Sequence, residues 1–174
     1  MKMTKNFDDL NDTFNTSGEV IKPEVVESKI QMIYLGYFEK WDPQECYYYS
    51  VDNTGFRPAY ERSIGTYSRY TEIDDKIVPF HFYTTYIKFG IGRATYDASQ
   101  EIRNNKITRD EGISLVKKYD SEFPKKYFKD FLKYINISED LFFKTIDKNR
   151  SSHLWKKEKK KRILRHPIWN EKKL

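Results

Sequence analysis

Three times between residues 108 and 146 apolar side chains return at the spacing of an α-helix, and nowhere in the chain do they alternate long enough to line a sheet. Such a chain folds as a mainly α helical bundle. Thr108 heads the run T-R-D-E, whose Thr hydroxyl and Glu111 carboxylate satisfy each other's exposed amides and so begin a helix. Gly112, Leu115, Val116 and Tyr119 follow at i, i+3, i+4 and i+7, with Lys117 and Lys118 outside the stripe. Phe128, Phe131, Leu132 and Ile135 repeat the spacing after Pro124, and Ser138 caps a further helix carrying Leu141, Phe142 and Ile146. The 3 Trp, 14 Tyr and 12 Phe among 174 residues, against 7 Gly and 6 Pro, supply bulk for one packed interior and exclude a disordered chain.

Upstream of that bundle the signals are more varied. Residues 1–22, rich in Asp, Asn, Thr and Ser, read as a mobile lead-in; residues 23–155 read as the helical domain and 156–174 as a basic tail. The segment 23–38 fits a helix or a strand. Asp42 and Pro43 suit the cap and first position of a short helix to about Asp52, with Gly55 as its stop. From Gly55 to Phe80 no period holds, which predicts a long loop of the kind that is usually functional or stabilised by something bound. After Pro79 only Gly90 and Gly92 interrupt the chain, predicting one long helix or two broken there.

The charge of +6 is unevenly placed: residues 151–174 hold nine Lys or Arg and two Glu, while the body before them is close to neutral. The basic run contacts a polyanion or is a solvated, frayed helix end. No nucleic-acid-binding motif accompanies it, so nucleic acid is not an expected partner. No run of about 18 uncharged apolar residues predicts a membrane span, and the first residues lack the apolar core of a signal peptide. With Cys46 as the single cysteine, no internal disulfide can form, and a reducing cytoplasm is the expected location. Cys46 reads as a core residue, His153-Leu154-Trp155 as a packed aromatic anchor, and no metal site is expected.

On one helix starting at His81, the residues Thr85, Lys88, Gly92, Thr95, Ser99 and Arg103 all fall within about 40° of a single line. Short polar groups of this kind suit close approach of a ligand or of another backbone. Arg93 and Asp97 sit at i, i+4 as an ion pair. In T-E-I-D-D, Asp74 and Asp75 with nearby Glu72 could hold Mg²⁺, act as a base, or form a solvated turn. Arg62 and Gly65 in E-R-S-I-G-T-Y suit an anion-binding turn.

The strings YLGYFEKWD (34–42), RSIGTYSRYTEIDD (62–75), HFYTTYIKFGIGRATYDASQEIRNNKITRDEGISLVKKYDSEFP (81–124) and HLW (153–155) resemble the C-terminal half of the bacterial N-acetyl sugar amidotransferases. These are surface-polysaccharide biosynthesis proteins of the N-type ATP pyrophosphatase superfamily. The likeness runs over roughly residues 30–155, with Ser121 standing where the family's pattern has Gly. It implies the helical, substrate-side part of an α/β enzyme whose nucleotide-binding sheet is absent. The pyrophosphatase loop S-G-G-x-D-S is absent too, and Ser17-Gly18-Glu19-Val20 cannot replace it.

The resemblance further implies ATP-dependent conversion of a sugar acetamido group to acetamidino, inactive in this chain without a separate pyrophosphatase-loop half. ATP and Mg²⁺ would be bound mainly by that half, with no cofactor on this chain alone. Implied partners are that half, a glutaminase and a cyclase-like subunit supplying ammonia, and a sugar-nucleotide substrate. The residues carried into the site are His81 and Asp75 for proton handling, and Arg62, Asp74, Lys88, Arg93, Thr95 and Asp97 for substrate. The alternative is a non-catalytic helical interaction module with a basic tail. A missing nucleotide half also predicts exposed apolar surface.

Overall fold

A computed structural model describes residues 33–159 and 161–170. The described residues fall into two units, one ending at Trp41 and the other beginning at Asp42. In the first, Leu35–Tyr37 forms one 3₁₀ turn. The helix-or-strand choice at 23–38 lies mostly outside the described residues.

The described residues of the second unit form six α-helices: α1 (Pro43–Thr54), α2 (Val78–Phe89), α3 (Arg93–Arg103), α4 (Arg109–Tyr119), α5 (Phe128–Ile135) and α6 (Glu139–Lys148). Strands β1 (Trp155–Glu158) and β2 (Lys161–Leu164) then pair antiparallel, Trp155 opposite Leu164. The described residues hold no other sheet and none suited to a nucleotide.

Local signals account for the helix ends. Asp42 accepts from the amides of Gln44 and Glu45, and Gly55 closes α1 at φ 71°. Thr108 and Glu111 form the reciprocal capping box of α4, and Ser138 accepts from the Leu141 amide to start α6. Ser121 is not among the residues with positive φ, so that turn does not need the family's Gly.

The main core joins Phe80, Tyr86 and Ile87 of α2 to Phe128 of α5, Phe142 and Ile146 of α6, and Trp155 of β1. The Phe80 and Phe131 rings stack with centroids 4.0 Å apart, and the Trp155 Nε1–H donates to the Ile87 carbonyl at 2.8 Å. Helices α3 and α4 pack through small residues instead: a Cβ on Gly112 would meet Ile102 Cδ1 at 2.7 Å and Ala98 Cβ at 3.5 Å.

Three expectations are corrected here. Cys46 is exposed, on a helix none of whose residues is fully buried. The basic run is a hairpin, not a frayed helix end, with buried Trp155 at its head. Of the two alternatives after Pro79, the break is real: Gly90 takes the left-handed conformation at φ 76° and ends α2, so His81 and Thr95 share no helix face.

Candidate functional site

The loop of residues 55–77 has no regular structure, so its backbone and side chains must be held by the helices beside it. Arg62 donates from Nη1 and Nη2 to the two oxygens of Glu122, each at 2.7 Å, and the Gly65 amide donates to the same carboxylate at 2.8 Å. The Arg62 and Gly65 turn is thus an anion site, and its anion is the chain's own Glu122, held below the usual carboxylate range chiefly by the Arg62 hydrogen bonds. Arg62 also reaches the Thr66 carbonyl at 3.0 Å and lies 4.6 Å from the centre of the Tyr119 ring.

A second cluster ties the loop to α3. The buried Thr66 hydroxyl donates to Asp97 at 2.6 Å, and Arg93 Nε donates to the other Asp97 oxygen at 2.9 Å, the pair expected from their spacing. Arg93 Nη1 also lies 3.2 Å from Glu72 Oε1, while its guanidinium rests 4.6 Å from the centre of the Phe82 ring.

Glu72 is the anomaly of the molecule. It is a non-glycine residue in the left-handed region at φ 58°, its side chain is only 5% exposed, and neither carboxylate oxygen accepts a hydrogen bond. Burial, reinforced by the nearby Asp97 and Asp75 charges and only partly opposed by Arg93, pushes its pKa up to about 7. One guanidinium here serves two carboxylates.

Glu72 lines a cleft of about 380 Å³ between the loop and the start of α2, walled also by Arg62, Asp74, Asp75, Lys76 and Tyr127. Asp74 and Asp75 are exposed, and Asp75 Oδ1 accepts from the Ile77 amide at 2.6 Å. At the cleft mouth Lys126 pairs with Glu61 at 2.6 Å. No three His, Cys, Asp or Glu side chains among the described residues come together as a metal would need.

The remaining expected site residues fall elsewhere. Thr95 is held by Asp120, which accepts from the Thr95 amide at 2.9 Å, its hydroxyl at 2.6 Å and the Gly92 amide at 2.8 Å. Burial raises the Asp120 pKa despite these donors. His81 and Lys88 are exposed on α2 and do not line the cleft. The structure therefore brings Arg62, Asp74, Asp75, Arg93 and Asp97 around one loop and leaves His81, Lys88 and Thr95 outside it. Glu72 was signalled only by its place beside the two aspartates; its burial and backbone conformation are tertiary facts.

The raised pKa of Glu72 carries a stability prediction. Between its ordinary value of 4.5 and about 7 the folded chain keeps a proton that the unfolded chain has lost, so this residue lowers stability as pH rises through that window. Glu72→Gln removes the cost. In urea unfolding it should be more stable than the parent at pH 8 by up to about 3 kcal/mol, with the advantage gone by pH 4. An equal effect at both pH values would show that Glu72 is not the titrating group.

Set against known proteins, the chain matches no curated protein. The family described as LPS biosynthesis protein WbpG-like, C-terminal domain, matches residues 64–168, a span that takes in Glu72, Asp74, Asp75 and every helix from α2 to α6. With more than half of its length matched, and with five helices and the hairpin inside the match, the chain belongs to the WbpG-like C-terminal domain family of lipopolysaccharide (LPS) biosynthesis proteins.

Proposed function

We propose that this chain is the sugar-handling part of an N-acetyl sugar amidotransferase of LPS biosynthesis, acting in the cytoplasm with a pyrophosphatase-loop half and an ammonia-supplying glutaminase and cyclase-like subunit. In that reaction the acetamido oxygen attacks the α-phosphorus of ATP and pyrophosphate leaves. Ammonia then forms a C–N bond at the activated carbon, the C–O bond breaks, AMP departs with the oxygen, and the sugar keeps a protonated acetamidino group. The step needs a desolvated site with groups that accept protons from the attacking nitrogen.

The observation that carries this reading is the acid-walled cleft, whose Glu72, Asp74 and Asp75 lie within the span matched by an LPS-biosynthesis family. In the proposal Asp75 accepts the proton and Asp74 hydrogen-bonds the sugar. Arg93 and Asp97 hold the wall behind them, and Arg62 fixes the loop through Glu122. Mg²⁺ and ATP belong to the other half. His81, Lys88 and Thr95 lie off this cleft and are given no contact with substrate.

The test combines this chain with a protein bearing the S-G-G-x-D-S loop, a glutaminase and its cyclase-like partner, ATP with Mg²⁺, and a nucleotide-linked N-acetyl sugar. Pyrophosphate release that requires this chain, with acetamidino-sugar formation falling at least tenfold in Asp75→Asn, is the expected result. No release from folded components would sink the enzymatic reading. It would leave the docking-module reading, which rests on α1: it buries no residue and exposes Tyr48 (56%) and Tyr49 (67%), in keeping with the expected apolar surface.

A further inference from the structure

Along residues 59–63, which wall the cleft between the loop and the start of α2, every residue but one is tied down. The Ala59 amide donates to the Arg69 carbonyl at 2.8 Å, and the Ala59 carbonyl accepts from Arg69 Nε at 3.0 Å. Glu61 pairs with Lys126, Arg62 with Glu122, and the Ser63 amide donates to the Ser68 carbonyl at 2.8 Å. Between them Tyr60 lines the cleft and is 95% exposed, and its side chain has no hydrogen bond, ion pair or ring contact among the described residues. Its backbone is fixed on both sides while its ring meets only solvent. The other ring of the cleft, Tyr127, already carries two ammonium groups, Lys126 at 5.5 Å and Lys76 at 5.7 Å from its centre. Only Tyr60 offers an open aromatic face.

The volume of about 380 Å³ is near the lower end of the range for ligand pockets, about 300–1,000 Å³, which suits one ring better than an extended chain. Both signs of charge line it: Asp74 and Asp75 are exposed acceptors, and Lys76, exposed and in no ion pair among the described residues, is a donor. The acids disfavour an anion and the lysines disfavour a polycation. A neutral ligand with one apolar face and several hydroxyls meets all of these features.

We infer that Tyr60 is the stacking platform for one neutral pyranose ring, whose C–H face lies on the aromatic ring while its hydroxyls donate to Asp74 and accept from the Lys76 ammonium. Tyrosine makes such a contact at small entropic cost, with only two side-chain torsions to fix. The inference rests on the amidotransferase reading for the identity of the sugar and adds to it the residue that grips the ring. Stacking holds the sugar equally before and after its acetamido group is changed, so Tyr60 contributes to binding and not to the chemical step.

The probes are the methyl glycosides of N-acetylglucosamine and N-acetylgalactosamine, titrated into the full chain and followed by NMR, with uridine as a flat-ring control. Expected are saturable amide shifts centred on residues 59–63 and 71–76, and upfield-shifted ring C–H protons in the bound glycoside, the signature of an aromatic face. Tyr60→Phe should keep the affinity within about twofold, and Tyr60→Leu should lower it about tenfold and abolish the upfield shift. A side chain this exposed can be changed without disturbing the fold. No saturable shift with either glycoside, an equal response to uridine, or undiminished binding by Tyr60→Leu would overturn the inference. In the reconstituted amidotransferase, Tyr60→Leu should raise KM for the nucleotide-linked sugar about tenfold and leave kcat within about twofold. An unchanged KM in an active complex would overturn this platform alone. Glycoside binding by a chain that supports no pyrophosphate release would overturn the amidotransferase reading alone.

Discussion

Asp120→Ala should lower the stability of the fold by about 4 kcal/mol, measured by urea unfolding at pH 7. The carboxylate is 4% exposed and stands at the end of α4, yet its three bonds all go to the start of α3: the Gly92 amide, the Thr95 amide and the Thr95 hydroxyl, at 2.6 to 2.9 Å. Gly92, the N-cap residue of α3, offers no side chain to satisfy the helix's first amides, so Asp120 does this from another helix. Bonds to a charged acceptor contribute about 1.5–3 kcal/mol each, and truncation leaves two amides buried without partners. Asp120→Asn should recover less than half of the loss, because its NH₂ group would face N–H donors. Thr95→Val removes one bond and should cost about 1–2 kcal/mol. If Asp120→Ala cost less than 1 kcal/mol, α3 would not be capped in this way.

The same contact explains Gly92. Its φ is −116°, which any residue adopts, so conformational freedom is not the reason for glycine. A Cβ there would lie 2.7 Å from the Asp120 carbonyl oxygen and 2.9 Å from Oδ1. Gly92→Ala must push the cap away and should therefore reproduce most of the Asp120→Ala loss without touching the carboxylate.

These residues show where sequence reasoning reached and where it stopped. Signals held within a few residues were legible: Asp42 with Pro43 and Gly55, the Thr108 and Glu111 box, the Ser138 cap, and the i, i+4 pair of Arg93 and Asp97. Each depends on local geometry alone. The loop was legible as a loop, but its occupant was not: Arg62 and Gly65 announce an anion, and only the fold shows it to be Glu122, 60 residues from Arg62. The face drawn from His81 through Thr95 assumed an unbroken helix, and the left-handed turn at Gly90 rotates the second half away. Cys46 sits among tyrosines that look like core, yet no residue of α1 is fully buried. The hairpin was invisible because its inward-facing apolar residues are confined to its open end, where Trp155 pairs with Leu164, while the facing pair Lys157 and Arg162 is basic.

Trp155→Ala should cost about 4 kcal/mol, a second effect of the largest class. The side chain is 5% exposed, meets Tyr86 edge-on with centroids 5.4 Å apart, and carries the Arg150 guanidinium 4.3 Å from its ring centre. Its Nε1–H donates to the carbonyl of Ile87, one of the last-turn carbonyls of α2 that the helix itself cannot bond. Trp155→Phe keeps most of the apolar contact and isolates that bond, so it should cost about 1–2 kcal/mol. The basic strands are thereby coupled to the core: Leu164, opposite Trp155, packs against the same cluster, and Arg162 grips Asp147 of α6 at 2.7 and 2.9 Å. A hairpin joined in this way unfolds with the helices, and circular dichroism at 222 nm and tryptophan fluorescence should give coincident urea transitions in the parent chain. A cost below about 1 kcal/mol for Trp155→Ala, or an early fluorescence transition with the helices intact, would show instead that the basic strands are an appendage whose charge is free of the fold.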